Sequence, residues 1–341
     1  MRLPSSKASS SLVCTLLASV GVGVLGGGAA LAETLTLYSA QHEQMVNQIT
    51  DAFTKQTGIK VRTRFGEAPM IASQIVQEGK ASPADVYFTE NSPELVLLDE
   101  KNLLSPVDTT TLADVPSRYN AETGHWLGVL VRENVLAFNP SMIAADKLPV
   151  SLLDLARPEW KGRVAIAPAD ADFLPLVEAI VKLKSRATAL AWLKALKVNA
   201  QVFDDDEAVV AAVDRGAVAT GIINNYYWAR LHQEKGAATK SEIHHFSGGD
   251  VGALINVSGA SVLKTSKHQA AAQKFLAFMV STPTQTMLGA GDVDFEYPLA
   301  KGVKANPILK PFDQLQPPTI SIKDLGDDQD AALLLREAGL L

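Results

Sequence analysis

Cysteine is almost absent: the chain has one, Cys14. It falls in residues 1–32, which read as a segment removed on export. Arg2 and Lys7 precede an apolar, small-residue run from Leu12 to about Ala32, and Ala30-Leu31-Ala32 is a small-x-small cleavage site before Glu33. The run is glycine-rich and passes directly into a strand-like segment, which argues against a membrane anchor. Ser11-Leu12-Val13-Cys14 lacks the residues expected before a lipidated cysteine. The mature chain is therefore expected to have no cysteine, which excludes disulfides, thiolate nucleophiles and thiolate metal ligands. Positive charge is also in short supply. The formal net charge is −6, and losing Arg2 and Lys7 moves it further negative. An acidic exported protein is not expected to bind nucleic acid. There is no catalytic serine elbow and no H-E-x-x-H, so an exported hydrolase or metalloenzyme is not expected. Low-complexity tracts, 20–50-residue repeats and long Pro/Ser linkers are missing too.

What remains, residues 33–341, is too long for one ordinary core and suits two domains joined by ordinary strands. TLTLYSA (34–40) reads as a strand, HEQMVNQITDAFTKQTG (42–58) as a helix with Met45, Ile49, Ala52 and Phe53 on one face, and IKVRTRF (59–65) as a strand. A helix over 68–80, a buried strand over 83–90 and a helix over 92–104 follow. This β-α-β-α-β-α order predicts an α/β fold, a mostly parallel sheet with helices on both faces. Further strands are expected at 162–168, 201–203 and 217–225. Helices are expected over about 171–197, after 204, from Tyr226, over 268–280 and 283–289, and over about 329–338. Two long strand-like runs, 125–140 and 251–264, are read as the chain passing between domains and returning. That predicts two discontinuous domains, 33–134 with about 257–310 and about 135–256 with 311–341, hinged about a cleft.

In a parallel α/β sheet ligands bind beyond the carboxyl ends of the strands. Three such ends carry polar groups: Gln41-His42-Glu43, Thr89-Glu90-Asn91 and Asn224-Asn225-Tyr226-Tyr227. Two adjacent tyrosines are unusual in a chain with only six. On a helix they sit about 100° apart, so at most one faces a core squarely, and a cleft explains both better. Phenolates and a carboxylate suit a hard trivalent ion. Two phenolates and Glu90 supply the charge that neutralises Fe³⁺, with His42 neutral, whereas a divalent ion would leave an excess of negative charge and ionise phenols less readily. Zinc sites are usually richer in His or Cys, and calcium sites in carboxylates and carbonyls. Other readings of the same residues stay open: a hydrogen-bonding His42, a capping or solvated Glu90, and an aromatic cluster with Trp228 that packs internally or stacks a small organic solute. HQEKG (232–236) and His244-His245 make no recognisable metal motif and are expected at the surface.

Across nearly the whole mature chain the sequence resembles the bacterial periplasmic ferric-ion-binding proteins, the solute receptors of Fe³⁺ ABC importers. The resemblance is carried by YSAQHEQMVNQITDAFTKQTGIKV (38–61), PADVYFTEN (83–91), RPEWKGRV (157–164), IINNYYW (222–228), GALINVSGASVLKTSKHQAAAQKFLAFM (252–279) and EYPL (296–299). It implies a type II-like periplasmic binding fold, two doubly wound α/β domains with the ligand between them. It implies His42, Glu90, Tyr226 and Tyr227 as iron ligands, drawn from both domains. It implies a non-enzymatic monomer in the periplasm, taking ferric iron or a small ferric chelate to an inner-membrane ABC permease and its ATPase. Gln41, Arg132 and Asn224 are expected behind the ligands or beside an exogenous one. The family's phosphate-binding stretch departs here: Ala169-Asp170-Ala171-Asp172 and Asp206 place acids where a phosphate would sit. Phosphate is disfavoured, leaving water, hydroxide, carbonate or a local carboxylate to complete the shell. Alternatively these aspartates cap helices.

Overall fold

Strand β1 (Thr34–Ala40) buries Leu35 and Leu37, and its neighbours in sequence follow the alternating α/β order. Helix α1 (Glu43–Thr57) buries Met45, Ile49 and Phe53 at helical spacing and ends at Gly58, whose φ of 75° is the left-handed conformation that stops a helix. Then come β2 (Lys60–Phe65), α2 (Ala68–Glu78), β3 (Val86–Thr89), α3 (Pro93–Glu100) and α4 (Thr109–Ala113). The computed structural model describes residues 33–341, so the expected leader lies outside the described residues. No helix among the described residues is long and apolar enough to cross a membrane.

The remaining elements are β4 (Leu127–Phe138), β5 (Val164–Ile166), α5 (Phe173–Leu183), α6 (Arg186–Asn199), β6 (Ala200–Val202), α7 (Asp206–Asp214), β7 (Thr220–Asn224), α8 (Asn225–Lys235) and β8 (Glu242–His244). They are followed by β9 (Ile255–Val262), α9 (Gln269–Met279), α10 (Thr282–Gly289), β10 (Tyr297–Pro298), α11 (Ile322–Leu325) and α12 (Gln329–Ala338). Adjacent strands follow the order β2-β1-β3-β9-β4-β7-β5-β6, with β8 and β10 each paired to β4. The pairings at the two ends are parallel: β1 with β2 and β3, β5 with β6 and β7. The middle is antiparallel, because β9 returns against both β3 and β4, and β4 runs against β7. The sheet is therefore mixed, parallel where helices connect successive strands and antiparallel where the two long strands cross it.

Those strands divide the packing. Leu127, Val129, Leu130 and Val131 of β4 join a core with β1–β3, α1, α3, α9 and most of β9. Further along β4, Leu136 and Phe138 join a core with α5, α6 and α12, and Val135 and Ala137 pack beneath α7. Between the two halves stand Arg132, Glu133 and Asn134, all buried. Near the C-terminus, Leu315 and Ile322 pack in the first core and Leu325 in the second.

Several boundaries differ from the sequence reading. The helix expected to reach 104 ends at Glu100, because Asn102 adopts φ 58° and Leu104 bridges to Leu263. The tract over 171–197 is two helices, and the Ser185 side chain accepts the Thr188 N–H to start the second. The strand expected from 251 begins at Ile255 after a 3₁₀ turn. Strands β8 and β10 and helix α4 are too short to leave a periodic signal.

Candidate metal centre

The carboxyl ends of β1, β3 and β7 converge where the two cores adjoin. His42 follows β1, with its backbone N–H held by Gln41 Oε1 at 2.7 Å. Its Nε2 lies 3.6 Å from Glu90 Oε2, just beyond β3, and its ring meets Tyr226 edge-on at 5.3 Å. Tyr226 and Tyr227 occupy the first turn of α8, where unpaired N–H groups and the helix dipole favour negative charge. Their rings lie 4.1 Å apart. Tyr226 is fully buried, and Tyr227 is half-buried. The four residues implied by the resemblance are thus brought together. The three-ring platform is not: Trp228 stacks on His232 at 5.0 Å and donates Nε1–H to the Ser241 carbonyl.

Behind the tyrosines lies a buried charge network. Tyr226 donates its hydroxyl to Asp172 Oδ2 at 3.0 Å. Asp172 Oδ1 also accepts from Arg132 at 2.6 Å and from Asn91 at 3.2 Å. Arg132 has no exposed surface and also donates to Asn91, to Ser258 and to the Glu90 carbonyl. Asp170 accepts the backbone N–H groups of Asp172 and Asp206, and Asp206 accepts that of Asn224. Gln41 donates to Ser258 and Glu296. Two of these acids do stand at helix starts: Asp172 occupies the N-cap position of α5, though its side chain makes no cap bond, and Asp206 lies in the first turn of α7, whose side-chain cap is Asp205. The histidines expected at the surface are part-buried. His245 Nδ1 lies 2.6 Å from the buried Glu133, and His244 packs edge-on against Phe246.

Burial sets the protonation of this region. It pushes the Glu90 carboxyl up to about 8, helped by Asp172, and the Asp170 carboxyl to about 6. Asp206 is raised well above the carboxylate range by burial and by Asp170. Burial also opposes the charge on Asp172, but Arg132 outweighs it and holds that carboxyl below its ordinary range. Both phenols are raised by burial and by Asp172. Ionising them needs a concentrated positive charge at their oxygens, which a hard metal ion supplies.

Sequence reasoning missed Asp294, Glu296 and Arg230. Asp294 and Glu296 are buried on a loop before β10, and with His42 their ligand atoms lie within 4.8 Å of one another. Both Glu296 oxygens are engaged, by Gln41 at 3.2 Å and Ser258 at 2.7 Å. Asp294 Oδ1 lies 2.8 Å from His42 Nδ1 and accepts from Arg230. Burial opposes the charge on His42, yet Asp294 raises its basicity above the ordinary value. The available signals were the D-x-E alternation in DVDFEYP and the four-residue spacing from Tyr226 to Arg230, which puts both on one helical face.

Comparison with known proteins agrees with this architecture. Residues 35–290 match the model for bacterial extracellular solute-binding proteins. The chain is 41% identical over 328 residues to the Fe(3+)-binding periplasmic protein of Serratia marcescens, covering 96% of each. It is 37% identical to the major ferric iron-binding protein of a Neisseria meningitidis strain, covering 90% of this chain and 93% of that one. Iron-bound HitA from Pseudomonas aeruginosa superposes with a TM-score of 0.86 at 43% identity, over 90% of this chain and 99% of that one. The fold is thus the type II periplasmic binding fold, and the protein is a transport component, not an enzyme. The chain belongs to the bacterial extracellular solute-binding protein family.

Proposed function

We propose that this protein is a periplasmic receptor that captures ferric iron and delivers it to an inner-membrane ABC permease and its ATPase. The observation that carries the reading is the adjacent Tyr226-Tyr227 pair at the start of α8, its rings 4.1 Å apart, gathered with His42 and Glu90 where the cores adjoin. The names of the relatives support the cargo and the compartment. His42 Nε2, a Glu90 oxygen and the two phenol oxygens are the protein ligands. Fe³⁺ displaces the phenol protons and the Glu90 proton, and the resulting anions neutralise it. A divalent ion would leave surplus negative charge.

The buried acids bear on the remaining coordination positions. Asp172 already holds both Arg132 and the Tyr226 hydroxyl, so a cation and a donor that would suit an anion are engaged by the chain's own carboxylate. Asp170 and Asp206 stand behind it. We read this as disfavouring phosphate and leaving water, hydroxide, carbonate or Asp172 itself to complete the shell.

The protein works as a monomer after removal of residues 1–32, on free ferric iron or a small chelate. Its lobes are 33–134 with about 257–310 and about 135–256 with the C-terminal segment. The packing of Ile322 and Leu325 in different cores supports a last crossing between those residues. Closing the lobes on iron joins ligands from both. The competing cargo is a small organic solute stacked on the tyrosines, which the engagement of Trp228 with His232 weakens.

The test is a titration of the metal-free mature protein with ferric citrate, followed in the visible. A phenolate-to-iron charge-transfer band saturating at one iron per chain, lost in Tyr226→Phe/Tyr227→Phe, is expected. Stoichiometric ferric binding retained in the double variant would remove the tyrosines from the site.

A further inference from the structure

Helix α8 engages the loop before β10 at two points. Asn225 Nδ2 donates to the Phe295 carbonyl at 3.1 Å, and the Arg230 guanidinium donates to the buried Asp294 carboxylate. Phe295, between the two buried acids, has φ 59°, a left-handed conformation that non-glycine residues rarely adopt. The Arg230 guanidinium also lies over the Tyr226 ring, 4.9 Å from its centre. On its other side Asp294 lies 2.8 Å from His42 Nδ1. One carboxylate therefore joins a candidate ligand at the end of β1 to the helix that carries two others. The other acid near Arg230, Glu207, is 4.0 Å away and largely exposed, so its attraction is screened by water.

We propose that Asp294 and Arg230 form a latch across the junction of the lobes, and that Asp294 is the positioning residue for His42. The inference rests on the ligand set proposed above. With Asp294 Oδ1 2.8 Å from Nδ1, its negative charge favours a proton on that nitrogen and leaves Nε2, on the Glu90 side, as the nitrogen that can ligate. Arg230 sits one helical turn beyond Tyr226, so Tyr226 cannot withdraw from His42 without pulling a part-buried guanidinium off the buried Asp294 carboxylate. Closure then completes two things at once, the ligand shell and the pair that holds it shut. Release requires the pair to part, which makes it a brake on iron loss.

The experiment uses the iron-loaded mature protein and an excess of a strong chelator, with release followed at the charge-transfer band. Arg230→Gln and Asp294→Asn should each release iron at least about tenfold faster than the parent, because losing a partner of the buried Asp294 carboxylate, or the carboxylate itself, acts mainly on dissociation. The double variant should release no faster than Asp294→Asn, which loses both the pair and the positioning of His42, and Arg230→Lys should recover part of the loss of Arg230→Gln. The band and the one-to-one stoichiometry should persist in Arg230→Gln. Parental rates in the single variants, or multiplying effects in the double one, overturn the latch. Loss of stoichiometric binding in Asp294→Asn makes that residue a ligand and overturns its positioning role. If the parent binds no ferric iron, the ligand assignment fails, and X-ray scattering of the metal-free proteins decides the latch. A larger radius of gyration in Arg230→Gln then supports it, and an unchanged one overturns it.

Discussion

Arg132 carries its charge fully buried, and its two terminal nitrogens are answered while its Nε has no hydrogen-bond partner. Asp172, Asn91, Ser258 and the Glu90 carbonyl take its N–H groups. Removing one member of such a buried pair leaves the other uncompensated, at a cost of about 3–5 kcal/mol. Arg132→Met should therefore lower the urea-unfolding free energy of the metal-free protein by about that amount, with Arg132→Met/Asp172→Asn recovering part of it. A loss below about 1 kcal/mol in the single variant would show that water reaches Asp172. A charged pair in the run LGVLVRENVLAF is visible from sequence as something needing partners. Its partners are not, because Asn91 and Asp172 lie 41 and 40 residues away in the chain. The same limit explains the site as a whole. His42, Glu90, Tyr226 and Tyr227 could be named as candidates from sequence because each stands just beyond a strand end in a recognisable motif, and the fold brings them together. Asp294 and Arg230 gain their meaning only when the loop before β10 meets α8.

At the scale of elements, the helices were the more legible part, since α1 and α12 bury faces at regular spacing. What the periodicity could not show is which strands pair and in which direction. The antiparallel crossing of β4 and β9 depends on contacts more than a hundred residues apart. Close packing at that crossing has a testable mark. At the irregularity in β4, a Cβ on Gly128 would lie 2.6 Å from the Tyr119 carbonyl oxygen, a backbone atom that cannot rotate away. Gly128→Ala is expected to destabilise the protein by about 1–3 kcal/mol in urea. An unchanged midpoint would mean that the turn at Tyr119 yields freely.

For the molecule as a whole, pH acts through buried acids that belong to different cores. Burial pushes the Glu94 carboxyl, on α3, from 4.5 up to about 7. It raises Asp328, before α12, well above the carboxylate range, with Glu94 adding to the shift. Glu94 Oε2 and Asp328 Oδ1 are buried without a hydrogen-bond partner. In the window between the unfolded and folded values, the folded protein holds protons that the unfolded chain has released. Stability from these groups is full below the unfolded value and is lost as pH rises through the folded one. The metal-free protein should melt at a lower temperature at about pH 8 than at about pH 5, and Glu94→Gln should flatten part of that slope. A melting temperature that rises across this window would contradict the assignment.

One strand, β4, serves both cores, and it changes partners midway. Leu127–Glu133 pairs with β9, whereas Asn134–Phe138 pairs with β7 and Leu136–Phe138 with β8. The opening proposed above therefore has a defined axle: a twist of β4 between Glu133 and Asn134 leaves the ladder on each side with its own core. Arg132, Glu133 and Asn134, all buried, flank that point. A motion confined to one strand is a rotation about a fixed line, so the same faces meet each time the proposed lobes close.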